Sequence, residues 1–600
     1  MNKTKLTVVL MLLVMIIAIT NVAARHDGHF TWGACNCQHG GERGGHCHCP
    51  WWAKMDTYCR AGKTLTYYHN NYNSNHHLHR IRHKRCLDAS IGNCYDYIIV
   101  GSGTAGSILA RKLSDDPNNK VLLIEQGYWS SLNPNIQEAS KWYSLLSDPL
   151  VELGYVSVPQ PELKNRTIPQ PRGQGTGGSN SINAMIFLLG NRKDFDERWG
   201  QIDGWSWDDI APYWNYINAT FPHTQLDRND SIMSELLQSA EEVGYKYNPN
   251  PNDLDSEQGQ GGVAPRIYMA KKLSNNYAER VSSWNAYVQP ILPRRNLDIL
   301  VFTQVHKILF DKDLKAIGVQ TYNLGKKDET YFYSKKEVIL SAGVFDTPKL
   351  LLLSGIGPCD ELEKHDIKCL SNVPGVGKNF QEHTILQMWS APLVDQNTTL
   401  PNHVLGGAWG AVAIEENGEY YHVLGVGQVN NVKAIQIFIE TFHYQSRGSV
   451  TLLNNNPLSK PVIDPNYLSN SYDIDKILNS IKVAQSFLST KILSKLTTNK
   501  RRAISPTYDI NNDNKLIEWA RKNIETGLHP SSTCTMGNDF DDDNMIVVDN
   551  RLRVRNTENL RIADASIMPT LISGNPNQIT MIIGFKAADM ILEDNDSYGS

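Results

Sequence analysis

Three glycines at 101, 103 and 106, with an acid at 125, are the first residues in this chain whose spacing points to chemistry. Gly101-Ser102-Gly103-Thr104-Ala105-Gly106 follows an apolar run rich in β-branched and aromatic residues at 94–100 and opens into the helical pattern of 107–113. A second apolar run at 121–124 ends at Glu125, at the distance expected of a ribose-binding acid. Gly101 permits a tight turn, Gly103 lets backbone amides approach a pyrophosphate, and Gly106 allows close packing of helix on strand. The helix N-terminus offers its partial positive charge to phosphates. Strand, glycine turn, helix, strand and acid together predict a dinucleotide-binding βαβ unit.

That unit alone does not separate NAD from FAD. No second unit of the kind is visible, so one resident dinucleotide must do the chemistry, which favours a flavin. A second glycine cluster runs from Gly173 through Gly177, Gly178, Ser179, Asn183 and Ala184 to Met185, with no strand before it. Its side-chain-poor backbone suits the approach of a flat ring, and equally a flexible loop. Further along, 338–343 reads as a core strand, with Thr347 as cap and Pro348 at the first position of a helix that ends near Leu353. Residues 448–452 and 461–464 read as short antiparallel strands. A strand ending at Asp564 and a helical stretch over 580–592 bring the C-terminus back to the first domain.

These elements sit in a chain of 600 residues, long enough for two domains. With 41% apolar and 20% charged residues and a formal charge of -4, the composition is globular and excludes a polybasic nucleic-acid binder. Lys3 and Lys5 precede an apolar run from Leu6 to Ile19, with Val22 and Ala24 as small residues at a cleavage site. Residues 1–24 are therefore expected to be a signal peptide, leaving a secreted, extracellular protein with no membrane segment. Sequons at Asn165, Asn218, Asn229, Asn397 and Asn595 agree with export. In the extension 25–93 stand Cys35, Cys37, Cys47, Cys49, Cys59 and Cys86 among several histidines, with Cys94 just beyond it. In an oxidising compartment these read as disulfides of undetermined pairing rather than a metal site, and no metal is expected.

On these segments the chain resembles the glucose-methanol-choline oxidoreductases from about Tyr95 to Leu592, and is most similar to arthropod glucose-dehydrogenase-like members. The segments are the 101–106 turn, Glu125, the 177–185 cluster, Ser341–Gly357, Gly375–His383, His529-Pro-Ser-Ser-Thr-Cys-Thr-Met-Gly537 and Asp564–Pro569. The resemblance implies an α/β fold, α+β overall, with a Rossmann-like FAD-binding domain split along the chain and a substrate domain on an antiparallel sheet. The FAD part would take 94–385, with substrate-domain insertions, and 529–600; the substrate domain would take mainly 386–528. It further implies noncovalent FAD held by Gly101, Ser102, Gly103, Thr104, Ala105, Gly106, Glu125, Gly178, Ser179, Asn183, Ala184, Asp564 and Ala565. Ile182 stands where some members carry a flavin-linking His. His529 becomes the catalytic base and Asn575 its partner, taking the hydroxyl proton while a hydride passes from the alcohol carbon to flavin N5.

The implied function is a small-molecule alcohol oxidase that reoxidises its flavin with O2. A dehydrogenase with a quinone-like acceptor and a hydroxynitrile lyase with redox-idle FAD stay open. Retention of both His529 and Asn575 argues against a non-enzymatic binding glycoprotein. Gln174, Thr176, Asn180, Val344 and Leu528 depart from common family residues around the flavin and the base. Trp142, Tyr143 and Tyr155 suggest an aromatic-lined entrance and an aromatic or allylic alcohol rather than a sugar; a cyanohydrin is a further candidate. Oligomeric state is not legible.

Overall fold

The computed structural model describes residues 93–600 except 230–231, 257–260, 275–276, 399–408, 416–417, 430, 499–504, 508–510, 540, 542 and 597–600; before 93 it describes only 36–37 and 47–48. The expected signal peptide and nearly all of the Cys/His-rich extension lie outside the described residues. Within that unit, Asn36–Cys37 pairs antiparallel with Cys47–His48, placing Cys37 opposite Cys47. Cys94 is engaged in a disulfide.

In chain order, the strands that position the site are β1 (Cys94–Val100), β2 (Val121–Ile124), β3 (Gly262–Pro265), β4 (Leu297–Leu300), β5 (Thr303–Phe310), β6 (Ala316–Asn323) and β7 (Asp328–Leu340). They continue with β8 (Thr384–Pro392), β9 (Trp409–Ile414), β10 (Tyr420–Val429), β11 (Val432–Thr441), β12 (Glu525–Thr526) and β13 (Leu560–Ile562). Three helices matter most: α1 (Thr104–Leu113), α2 (Gly343–Leu353) and α3 (Asn577–Asp596).

The first sheet has the order β4-β2-β1-β7-β6-β5, with β13 also on β7. Strands β4, β2, β1, the end of β7 and β13 run parallel, and the apolar runs at 97–100 and 121–124 are buried, as expected of strands covered on both faces. Strand β7 serves two partners along its length. Asp328–Tyr333 pairs antiparallel with β6, whereas Val338–Leu340 lies between β1 and β13. The C-terminal strand thus rejoins the first sheet, and α3 packs on α1 so closely that a Cβ on Gly584 would stand 3.0 Å from the Ala105 Cα.

The second sheet is wholly antiparallel, in the order β12-β8-β11-β10-β9-β3. The short pair expected near 450 and 463 forms between Ser449–Thr451 and Val462–Asp464. Helix α2 corrects the sequence reading. It begins at Gly343, four residues before Thr347, so Pro348 lies inside it. A proline there cannot donate to the carbonyl four residues back; that acceptor, Val344 O, is taken by the Thr533 hydroxyl at 2.7 Å. Thr347 does not cap the helix but donates to Asp564 at 2.6 Å. Among the described residues no helix is long and apolar enough to cross a membrane.

His422 on β10 is buried, with Nε2 2.8 Å from Ser480 O and Nδ1 lacking a partner among the described residues. Burial pushes its pKa from 6.5 down to about 4. Between these values the unfolded chain binds the proton and the folded one does not, so stability falls as pH drops from 6.5 towards 4 and the effect is complete below 4. From pH 7 to 5 this one group should remove about 2 kcal/mol. Urea unfolding at both pH values should show the loss in the parent protein and a loss smaller by that amount in His422→Leu. An equal pH dependence in the two proteins would disprove the assignment.

Candidate active site and cofactor cradle

One cavity of about 1000 Å³ is lined both by the 101–105 turn and by His529 and Asn575. Every residue expected to hold FAD or to act on the alcohol lines it except Ser102 and Gly106. Those two stand behind the turn, and the glycines divide by role. A Cβ on Gly106 would meet Gly101 O at 1.9 Å, and one on Gly101, whose φ is +100°, would meet Ser341 O at 2.3 Å. At Gly103 a Cβ would meet nothing within 4 Å, because this residue faces the cavity. Gly106→Ala should therefore fail to fold. Gly103→Ala should fold with unchanged far-UV circular dichroism but hold FAD less tightly, measured by flavin fluorescence on dilution. Full retention of FAD in Gly103→Ala would refute the cradle.

Glu125 is a more structural residue than its sequence position suggests. Oε2 accepts from Ser102 N at 3.0 Å and Ser102 Oγ at 2.7 Å; Oε1 accepts from Gly127 N at 2.8 Å and Gly175 N at 3.0 Å. These four donors fill the carboxylate's usual capacity and tie the two glycine loops together. A ribose hydroxyl reaching Glu125 would compete with the Ser102 hydroxyl. The second glycine cluster is an ordered turn: Gly175, Gly177 and Gly178 all have positive φ, and Gly178–Ser181 forms a 3-10 turn. Thr176, a departure from the family pattern, fixes this turn through the Ser130 hydroxyl at 2.8 Å. Asp564 is buried and accepts from Gly343 N, Thr347 Oγ1 and Ser566 N; burial outweighs these bonds and raises its pKa.

The second sheet assembles the reacting end. Strand β8 starts directly after His383, and its register sets Ile385 opposite Glu440 of β11 and Glu525 of β12. Three residues beyond β12 comes His529. The approach is close enough that a Cβ on Gly527 would stand 2.9 Å from the His383 Cβ. Leu528 takes φ 65°, a left-handed conformation unusual for a branched residue. It is held by Thr526 Oγ1, which accepts from Leu528 N at 2.9 Å, and by Arg172, which donates to Leu528 O at 2.7 Å. Buried Glu382 accepts from His529 N at 3.2 Å, Thr526 Oγ1 at 2.5 Å, Gln170 Nε2 at 3.1 Å and the Tyr467 hydroxyl.

The imidazole of His529 is restrained on both nitrogens. Nδ1 lies 2.6 Å from Glu440 Oε1, and Nε2 lies 2.9 Å from Asn575 Nδ2. An amide NH2 can only donate, so Nε2 is the unprotonated nitrogen and Nδ1 carries the hydrogen. Glu440 also receives His383 Nδ1 at 3.2 Å and the Tyr421 hydroxyl. Burial alone would raise the Glu440 carboxyl, but the charges and hydrogen bonds of His529 and His383 hold it well below the usual carboxylate range. Burial pushes His383 down to about 4 despite Glu440, and burial together with Glu440 pushes the Tyr421 phenol up. His383, Glu440 and His529 also bring ligand atoms to metal-like spacing; as described, hydrogen bonds join these atoms.

Tyr155 is not at the entrance. It is buried against Phe345, with its hydroxyl 2.7 Å from Asp346. Trp142 and Tyr143 do line the cavity, Trp142 buried and Tyr143 exposed. Sequence reasoning missed the roles of Glu440, Tyr421 and His383. One local signal existed: an acid ending the apolar run 435–439 on a strand.

A cavity bounded by a side-chain-free glycine, a helix N-terminus and an ordered glycine turn, with the buried amide oxygen of Asn575 lacking a partner, fits a dinucleotide with its ring near His529. Gly103, Thr104 and Ala105 would hold the pyrophosphate, and Gly178 to Ala184 would flank the ring. The GMC oxidoreductase pattern matches residues 95–385 and 445–584. Mitochondrial choline dehydrogenase of Mus musculus is 31% identical over 556 residues, covering 84% of this chain and 90% of that protein. An alcohol dehydrogenase [acceptor] of Pseudomonas putida is 30% identical over 548 residues, covering 84% and 96%. The crystal structure of pyridoxine 4-oxidase from Mesorbium loti matches with a TM-score of 0.74 at 24% identity, covering 83% of this chain and 99% of that one. A fungal aryl-alcohol oxidase matches with a TM-score of 0.71 at 21% identity, covering 84% and 100%. The chain therefore belongs to the GMC oxidoreductase family and is an FAD-dependent oxidoreductase acting on CH–OH groups.

Proposed function

We propose that this protein is a secreted alcohol oxidase with noncovalently bound FAD, in which His529 is the base and Asn575 its partner. The observation that carries this reading is His529 Nε2, 2.9 Å from the donor Asn575 Nδ2, an approach that suits an unprotonated ring nitrogen, in the wall of the cavity that the glycine turn also lines. FAD supplies acceptance of a hydride from the alcohol carbon and reoxidation by O2 with release of H2O2. His529 Nε2 takes the hydroxyl proton, and Asn575 Nδ2 turns from the imidazole to the alcohol oxygen and orients it. Glu440 then faces the imidazolium across its Nδ1–H. The cavity wall includes Trp389, Tyr421 and Phe438 beside Ile385 and Val423, which favours an aromatic or allylic alcohol, or a cyanohydrin, over a sugar.

The second reading, a dehydrogenase passing electrons to a quinone-like acceptor, is favoured by the Pseudomonas putida relative. A hydroxynitrile lyase with redox-idle FAD is the third. We further propose kinship to arthropod glucose-dehydrogenase-like members and a division into an FAD part at 94–385 and 529–600 and a mainly substrate-binding part at 386–528. Export is supported by the exposure of the sequon asparagines Asn165, Asn229 and Asn397. Asn595 is a poorer acceptor for glycan, because its amide donates to Glu337 at 2.9 Å and Ile591 O at 2.8 Å.

The test is anaerobic addition of benzylic, allylic, cyanohydrin, sugar and choline alcohols to the purified holoprotein, followed by air. Bleaching of the flavin band by one class, with prompt recovery and peroxide release, is expected. Bleaching that air does not reverse, but a quinone does, would replace the oxidase with the dehydrogenase. Absence of bleaching by any alcohol would defeat both.

A further inference from the structure

Behind the turn that carries Asn180, Asn183 and Ala184 along the cavity stands Arg280, 1% exposed, at the end of the strand Tyr277–Arg280. Among the described residues its guanidinium meets only neutral oxygens. Nε donates to Ile136 O at 3.0 Å, and Nη1 donates to Asn183 O at 2.8 Å, Asn183 Oδ1 at 2.8 Å and Asn180 O at 3.3 Å. Nη2 has no acceptor among the described residues, and neither does the neighbouring donor Asn180 Nδ2. Burial alone pushes the guanidinium down to about 9, with no carboxylate acting against it. The contrast within this chain is Arg561, also buried, which is neutralised by Glu337 at 2.7 Å and Asp594 at 2.5 Å.

A buried charge without a counter-ion costs several kcal/mol and is rarely kept for packing alone. What Arg280 holds indicates its purpose. Asn183 Oδ1 is occupied on the Arg280 side, where it also accepts from Met185 N at 3.1 Å. That leaves the donor end of the Asn183 amide without a described partner in a residue that lines the cavity, with its dipole aligned by the guanidinium behind it.

We infer that Arg280 is an electrostatic positioning residue of the cofactor site: a buried positive charge, without a carboxylate partner among the described residues, that stabilises the negative charge FAD acquires on reduction. Reduction creates the negative charge that such a residue would face. The alcohol loses a hydride and a proton; the proton goes to His529, and the hydride leaves the oxidised cofactor with one more negative charge. Arg280, acting through Asn183, offsets that charge in a low-dielectric setting, where a unit charge roughly 10 Å away changes an equilibrium by about tenfold or more.

The experiment compares holoproteins carrying Arg280→Gln and Arg280→Lys with the parent. Sulfite, which adds to oxidised flavin and leaves it anionic, is titrated by the loss of flavin absorbance, and the midpoint potential is taken against a reference dye. Arg280→Gln should bind sulfite about tenfold more weakly and reduce at a lower potential. Arg280→Lys should stay near the parent at about pH 6 and move towards the Gln variant by about pH 8, because a buried lysine loses its proton well before Arg280, pushed down only to about 9, loses its own. Parent-like sulfite affinity and potential in both variants would overturn the inference. If Arg280→Gln cannot retain FAD, the pH series of Arg280→Lys decides alone: a sulfite affinity that follows the parent's pH dependence overturns it. Neither readout uses an alcohol, so its outcome is independent of which alcohol is oxidised, or whether any is.

Discussion

His529→Ala is expected to fold, bind FAD and yet be reduced by its alcohol roughly 10²- to 10⁴-fold more slowly than the parent, the range typical for loss of a positioned general base. Tautomer matters here as well as position. With Nδ1 committed to Glu440 at 2.6 Å and Nε2 receiving Asn575 at 2.9 Å, the lone pair that takes the proton is fixed before substrate arrives. An alcohol has only to replace the Asn575 hydrogen bond. Anaerobic stopped-flow reduction isolates this step from reoxidation. The assignment of His529 fails if the reduction rate of the variant stays within about threefold of the parent's, since a base contributes well beyond that.

Glu440→Gln should cause the second-largest loss, about 10²-fold in the same reduction rate, with FAD content unchanged. A triad carboxylate replaced by its amide elsewhere costs more than this through the wrong imidazole tautomer. Here Asn575 still restrains the other nitrogen, so the loss should be smaller. The Gln amide is neutral, so it cannot offset the imidazolium, and its NH2 end can turn the His529 ring. The carboxylate also gathers His383 and Tyr421, so stability must be measured alongside. Slow reduction at an unchanged unfolding midpoint would assign Glu440 to the chemistry. Parent-like reduction in a destabilised protein would make it a purely structural group.

How much of this was legible depends on distance along the chain. The turn from Gly101 to Gly106 and strands β1 and β2 were readable because glycine conformation and apolar runs act over a few residues. The fold class followed, since the strand-turn-helix unit and the short antiparallel pairs each declare their own geometry. Glu440 was not readable as a site residue, because only the register of β8 against β11 and β12 brings it to His529. The start of helix α2 is hidden in the sequence because Pro348 normally marks a first turn, and the hydroxyl that compensates it comes from Thr533, 189 residues beyond the Val344 carbonyl it satisfies. Tyr155 was misplaced for a related reason: an aromatic near a cavity wall and one packed on Phe345 look alike until Asp346 is seen to receive its hydroxyl. Arg280 gave no sequence signal, since a missing counter-ion is visible only in three dimensions.

The return of the chain to its own beginning has a consequence for synthesis. Strand β13 completes the parallel sheet beside β7, and Asn577 at the start of α3 accepts from the Thr104 hydroxyl at 2.9 Å, 473 residues distant. A ribosome emits the N-terminal βαβ unit long before its partner exists, and at about 5–20 residues per second the wait lasts tens of seconds. Through that interval the glycine turn lacks the helix that covers it, so the nascent chain cannot close around its dinucleotide. Cofactor capture is therefore expected only after synthesis has reached the C-terminal strand and helix. A chain ended before residue 560 is expected to emerge colourless, however well its second sheet has formed.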